Sequence, residues 1–191
     1  HSYLLYFTDM GRVYRTKTYN IPEAGRTAKG TPVVNIIEKS PEEKISEIIP
    51  VKEFSDNEYL VMVTKNGVIK KTPASEYESI RKSGKIAITL KEGDELISIF
   101  KTTGNDNIFL ATRNGMAICF NENDARAVGR TASGVKAIDL ADGDYVVGAE
   151  PVREDSKVLL VTDGGYGKCT DLTSFRIQHR GGKGLKAYKI T

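Results

Sequence analysis

Four stretches of the chain gather apolar residues into short runs that end in Thr, leave two residues and reach a glycine. They run from Leu4 to Gly11, Tyr59 to Gly67, Ile108 to Gly115 and Val158 to Gly165. Each closes on a turn-forming tetrad: Thr8-Asp9-Met10-Gly11, Thr64-Lys65-Asn66-Gly67, Thr112-Arg113-Asn114-Gly115 and Thr162-Asp163-Gly164-Gly165. A second glycine follows at Gly30, Gly84, Gly134 and Gly184, which lie 19, 17, 19 and 19 residues beyond the first. The first glycine recurs at intervals of 56, 48 and 50 residues. Self-similarity at such a period marks a repeat architecture, in which each unit buries its apolar face against its neighbours.

The runs are rich in β-formers, as in Tyr59-Leu60-Val61-Met62-Val63 before the turn and Val68-Ile69 after it. Asn-Gly and Gly-Gly supply the positive φ that tight hairpin turns require. Past the second glycine the pattern predicts strands at Ile86–Leu90 and Val135–Ile138. Turns at Glu92-Gly93-Asp94 and Asp142-Gly143-Asp144 lead into further strands at Leu96–Phe100 and Val146–Ala149. Each unit thus reads as four short strands, one blade of an all-β, propeller-like array. Only Pro73 to Tyr77 suggests a helical turn. The units fall at approximately 3–57, 58–106, 107–156 and 157–191 within a single domain. The last stops where its predecessors begin their final turn, and the start, His1-Ser2, has no initiating Met. Both ends read as cut from a longer array.

Composition adds little until it is placed on the repeat. The net charge is only +3, with 28% charged and 39% hydrophobic residues and no apolar run long enough to cross a membrane. The stretches from the first glycine to just past the second (residues 11–30, 67–85, 115–136 and 165–186, here called arms) hold 18 positive and 6 negative charges. The rest of the chain is left with 10 positive and 19 negative. Regular stacking puts equivalent arms on one rim, so a mildly basic chain acquires a strongly basic edge suited to a long polyanion. An Arg stands four residues before the second glycine at Arg26, Arg130 and Arg180, and three before it at Arg81.

Catalytic chemistry is not legible. His179 is the only histidine besides His1, no spacing resembles a metal site, and no phosphate-binding loop is complete. The acidic pairs Asp94/Glu95 and Asp142/Asp144 flank turn glycines and read as turn residues. Cys119 and Cys169 occupy equivalent positions in successive units, too far apart for a disulfide, and are expected as reduced thiols.

The fourth unit contains Gln178-His179-Arg180-Gly181-Gly182-Lys183-Gly184. This segment resembles the seven-residue box found in the A subunit of DNA gyrase, Gln-Arg-Arg-Gly-Gly-(Arg/Lys)-Gly, with His179 in place of an Arg. The first unit, from Gly11-Arg12-Val13-Tyr14 through Ile21-Pro22-Glu23-Ala24 to Arg26-Thr27-Ala28-Lys29-Gly30, is similar to the same family. The resemblance spans essentially the whole chain. It implies a β-pinwheel, a six-bladed relative of the propeller with DNA wound on its basic rim, of which about four blades are present. The family's box belongs to the first blade, so the copy at 178–184 is expected to be a later, box-like one.

What the resemblance implies is a non-catalytic DNA-wrapping domain of a type IIA topoisomerase, cytoplasmic and without a cofactor, acting on double-stranded DNA. Strand cleavage and ATP hydrolysis would reside in a separate N-terminal domain and a partner B subunit. The residues expected to meet phosphates, without reading bases, are Arg12, Arg15, Lys17, Arg26, Lys29, Lys70, Lys71, Arg81, Lys82, Lys85 and Arg130, with Gln178, His179, Arg180, Gly181, Gly182, Lys183 and Gly184 of the box-like segment. Two alternatives stand beside this reading: the equivalent domain in the A subunit of topoisomerase IV, and a propeller that binds proteins through its faces.

Overall fold

The computed structural model describes residues 2–189. Among these the chain is all-β, with short 3-10 turns and no α-helix. The first sheet is built from β1 (Tyr3–Thr8), β2 (Arg12–Lys17) and β3 (Ile45–Val51), and the second from β4 (Tyr59–Thr64), β5 (Val68–Pro73) and β7 (Leu96–Thr102). The third uses β8 (Asn107–Thr112), β9 (Met116–Asn121) and β11 (Val146–Pro151), and β12 (Lys157–Val161) pairs with β13 (Gly167–Asp171) in the fourth. All these pairings are antiparallel.

The remaining strands correct the expectation that each unit closes its own blade. Directly after the second glycine of units two, three and four lie two-residue strands, β6 (Lys85–Ile86), β10 (Val135–Lys136) and β14 (Leu185–Lys186). Each pairs with the preceding unit: β6 with β2, β10 with β5 and β14 with β9. Three four-stranded sheets result, in the orders β3-β1-β2-β6, β10-β5-β4-β7 and β11-β8-β9-β14. The exchange is fixed by a repeated hydrogen bond. The amides of Ala87, Ala137 and Ala187 donate to the carbonyls of Gly11, Gly67 and Gly115, at 2.7, 2.7 and 2.8 Å. The second glycine permits the crossing. At Gly184, φ is +75° and an added Cβ would stand 2.4 Å from the Ala117 carbonyl oxygen, so a side chain fails there on both counts.

Period-two alternation assigns each strand to two interfaces. In β4, Leu60 and Met62 pack with Leu5 and Phe7 of the first sheet, whereas Val61 and Val63 pack with Ile108 and Leu110 of the third. In β8 the other face sends Phe109 and Ala111 toward Leu172 and the fourth sheet. Full burial of such side chains contributes about 1.5–3 kcal/mol apiece, so sheet-to-sheet packing is the main adhesive of the array.

A 3-10 turn begins seven residues after the first glycine in every unit, at Thr18–Asn20, Ala74–Tyr77, Glu122–Asp124 and Leu172–Ser174. The turn aims the rest of the arm toward the preceding sheet.

Candidate nucleic-acid interface

The outer half of the arm, from the 3-10 turn to the second glycine, crosses onto the preceding unit in units two, three and four. In the third unit the crossing segment runs parallel to β5, with the Val128 amide donating to the Lys71 carbonyl at 2.9 Å. In the fourth it runs beside β9, with the Gln178 amide donating to the Cys119 carbonyl at 2.9 Å. Each of these crossing segments also bonds to the residues just past the second glycine of the preceding unit. The Thr89 amide donates to the Ala132 carbonyl, and the Asp139 amide to the Gly182 carbonyl. The arms of units two, three and four are therefore joined edge to edge rather than scattered over the molecule.

The repeated Arg takes part in that joining. Arg130 donates through its guanidinium to the Ile86 carbonyl, and Arg180 donates to the Lys136 carbonyl at 2.9 Å. Ile86 and Lys136 each lie two residues past the second glycine of the preceding unit, so the two contacts are equivalent. Arg180 is further held by the Asp124 carbonyl at 2.8 Å, and the Asp124 carboxylate also accepts from the Arg180 amide and lies 3.2 Å from the His179 ring.

Several expectations drawn from the sequence change on this geometry. Lys70 and Lys71 point inward, with relative exposures of 1% and 4%, because β5 is covered on both faces. The Lys70 ammonium donates to the carbonyls of Ala87, Gly129 and Arg130, and burial, reinforced by the Arg130 charge and opposed by Glu76, lowers its pKa to about 7. Lys71 pairs with the buried Glu122 carboxylate at 3.5 Å. Neither presents a charge to a polyanion. The Gln178 side-chain nitrogen is buried, and the Gly181 amide is spent on the Ala137 carbonyl at 2.6 Å. The Gly181 amide and the Gly182 carbonyl thus serve contact with the preceding unit. Arg12 is drawn into bonds with Tyr14 and Glu43 of its own unit and with the Ser83 carbonyl of the second arm.

The exposed cations among the expected residues are Lys17, Arg26, Lys29, Arg81, Lys82 and Lys183, while Arg15 and Lys85 are half-buried. His179 stands almost fully in solvent, its side chain 98% exposed. Two further cations, Arg126 and Arg176, were not among the expected contacts. They are exposed on the crossing segments, eight residues before the second glycine in units three and four. Their equivalence across the two repeats is the signal in the sequence that marks them. Asp94 and Asp144 are turn residues, accepting from the amides of Asn66 and Asn114 at 2.9 Å. Cys119 and Cys169 are both free thiols. Among the described residues no group of three or more His, Cys, Asp and Glu could hold a metal ion.

Sheets stacked around exchanged strands, with cationic arms joined side by side, define a propeller-type repeat domain. The chain belongs to the family of DNA gyrase C-terminal domains, described as a β-propeller, which it matches over residues 2–52, 58–103, 106–153 and 156–191. It is 54% identical over 136 residues to the DNA gyrase A subunit of Clostridium acetobutylicum and 49% identical over 136 residues to that of Halalkalibacterium halodurans, covering 71% of this chain each time. It spans only 16% of the length of either relative. Among solved structures, the C-terminal domain of a DNA topoisomerase IV superposes with a TM-score of 0.90 at 33% identity, covering 97% of this chain and 58% of that one. A DNA gyrase A C-terminal domain superposes with a TM-score of 0.83 at 27% identity, covering 100% and 61%.

Proposed function

We propose that the chain binds duplex DNA along its joined arms and bends it, as a non-catalytic part of a larger cytoplasmic topoisomerase. The observation that carries this reading is the bonding of the basic arms of units two, three and four to one another, which turns a modest net charge into a cationic track. Arg26, Lys29, Arg81, Lys82, Lys183, Arg126 and Arg176 are the side chains exposed to meet phosphates. Contacts of this kind neutralise the backbone and release counterions, and they carry no sequence information. The repeat boundaries at approximately 58, 107 and 157 are then the steps of the track. In the whole protein, strand cleavage and ATP hydrolysis belong to other domains and to a partner subunit, and the bent DNA biases strand passage toward negative supercoils.

The test is a titration of the chain with a duplex of about 40 base pairs at several salt concentrations. Neutralising six to ten phosphates costs roughly 10³- to 10⁵-fold in affinity between 50 and 200 mM salt, with little dependence on sequence. Affinity that is flat in salt, or the absence of binding, would overturn the proposal and favour a protein-binding propeller.

A further inference from the structure

The junction between the first and second arms differs from the other two, and the difference traces to arm length. Seventeen residues separate Gly67 from Gly84, against nineteen in each other unit. The longer third and fourth crossing segments lie flush on the preceding sheet, bridged in parallel to Lys71 and Cys119 and fastened by Arg130 and Arg180. The shorter second segment makes no such bridge to β2 among the described residues. β2 is paired on that side only at Arg12 and Val13, through β6. Its outer end instead borders a cleft of about 440 Å³.

Arg15 and Lys17 from β2 and Lys82 from the second arm line this cleft, over a partly apolar floor that includes Ile37 and Ile80. Glu38 is the one carboxylate on its wall. Arg15 is pre-positioned: its guanidinium lies over the Tyr3 ring, 4.7 Å from the centroid, and one nitrogen donates to the Glu78 carbonyl. That leaves other donors of its fork for a ligand. Lys17 and Lys82 are exposed. Three cations against one acid, at the place where the arms do not close on each other, make a seat for a tetrahedral dianion or a phosphodiester.

We propose that this cleft is a phosphate-binding site and that, on the duplex-binding reading above, it seats a backbone phosphate at the first arm junction. Arg130 and Arg180 hold the crossing segments at the later junctions, and Arg12 and Arg15 hold the second segment through the Ser83 and Glu78 carbonyls, so what the first junction turns to the cleft is the rest of the Arg15 fork with Lys17 and Lys82. Phosphate contact along the track is therefore uneven and strongest between units one and two.

The site is tested with inorganic phosphate and with a 40-base-pair duplex on the intact chain, following backbone amide shifts at low ionic strength. Phosphate is expected to shift the amides of residues 15–17 and 79–82 ahead of those elsewhere on the arms, and duplex is expected to abolish that response by competition. The double substitution Lys17→Gln/Lys82→Gln removes the shifts, weakens duplex binding about tenfold and lowers the salt slope by about one. A charge-matched pair outside the arms, Lys52→Gln/Lys91→Gln, leaves both measurements unchanged. Shifts spread evenly over all arms, or a Lys17/Lys82 variant that binds duplex like the parent, would overturn the site. If phosphate fills the cleft but the parent chain binds no duplex, the site stands for free phosphate and only the duplex reading falls.

Discussion

Lys70 shows how far one residue's role depends on what covers its strand. Adjacent lysines following a turn look like a surface pair, yet β5 lies between two sheets and receives β10 along its edge. The Lys70 ammonium becomes a buried fastener, tying the Ala87 carbonyl of its own unit to the Gly129 and Arg130 carbonyls of the next. Its pKa near 7 lies well below the ordinary 10.5, chiefly through burial. Between those values the unfolded chain holds the proton that the folded chain has shed, so stability rises with pH across that window and is lost as pH falls to 7. The stability of the parent relative to Lys70→Met is expected to grow by about 2 kcal/mol from pH 7 to 9 in urea unfolding. A difference that stays flat with pH would mean that the three carbonyls keep the ammonium charged.

At the scale of elements, the arms are held by contacts that charge alone does not supply. Arg130 and Arg180 reach backbone carbonyls of the preceding unit, and the planar fork of arginine suits such directed bonding better than the point charge of lysine. Replacing both with lysine conserves the arm charge but should loosen the arms, accelerating amide exchange at residues 86–89 and 136–139. Exchange unchanged in Arg130→Lys/Arg180→Lys would show that the strand exchange holds the arms without them. Much of the element order was legible beforehand, because the turn glycines and the alternation in Tyr59–Val63 act locally. The exchange of β6, β10 and β14 was not. Alternation tells which face a residue takes, not which sheet its strand joins, and the pairing partner of Lys85–Ile86 lies more than seventy residues away at Arg12 and Val13. The roles of Gly181 and Gly182 were hidden for the same reason. In sequence they read as room for a phosphate, whereas in the fold their backbone bonds to Ala137 and Asp139. Of the four 3-10 turns that lie within the arms, only Ala74–Tyr77 was announced in the sequence, by Pro73.

For the whole molecule, the stacking implies a graded stability, and on the proposed function it sets the path of a bound duplex. Sheets two and three are enclosed on both faces, whereas β12 only partly buries Val158 and Leu160 on one face and leaves Leu159 and Val161 at 65% and 64% exposure on the other. A track supported by three joined arms is thus firmest at its centre. Smooth bending of a 20–30 base-pair site by 40–90° costs on the order of 1–6 kcal/mol, which isolated surface lysines do not offset but several phosphate contacts held at fixed spacing do. On the proposed function, a duplex bent along the track follows a chiral path, and relaxation of a closed circle around it changes the linking number. Relaxing plasmid in the presence of saturating chain, then removing the protein, is expected to displace the topoisomer distribution from that of bare DNA, with the displacement shrinking as salt rises. The Lys17→Gln/Lys82→Gln variant should give a smaller displacement at equal occupancy, since it loses the contact at the first junction. A distribution identical to the bare control at saturation would mean that the arms grip a straight duplex, and the bending half of the proposal would fall while the binding half stood.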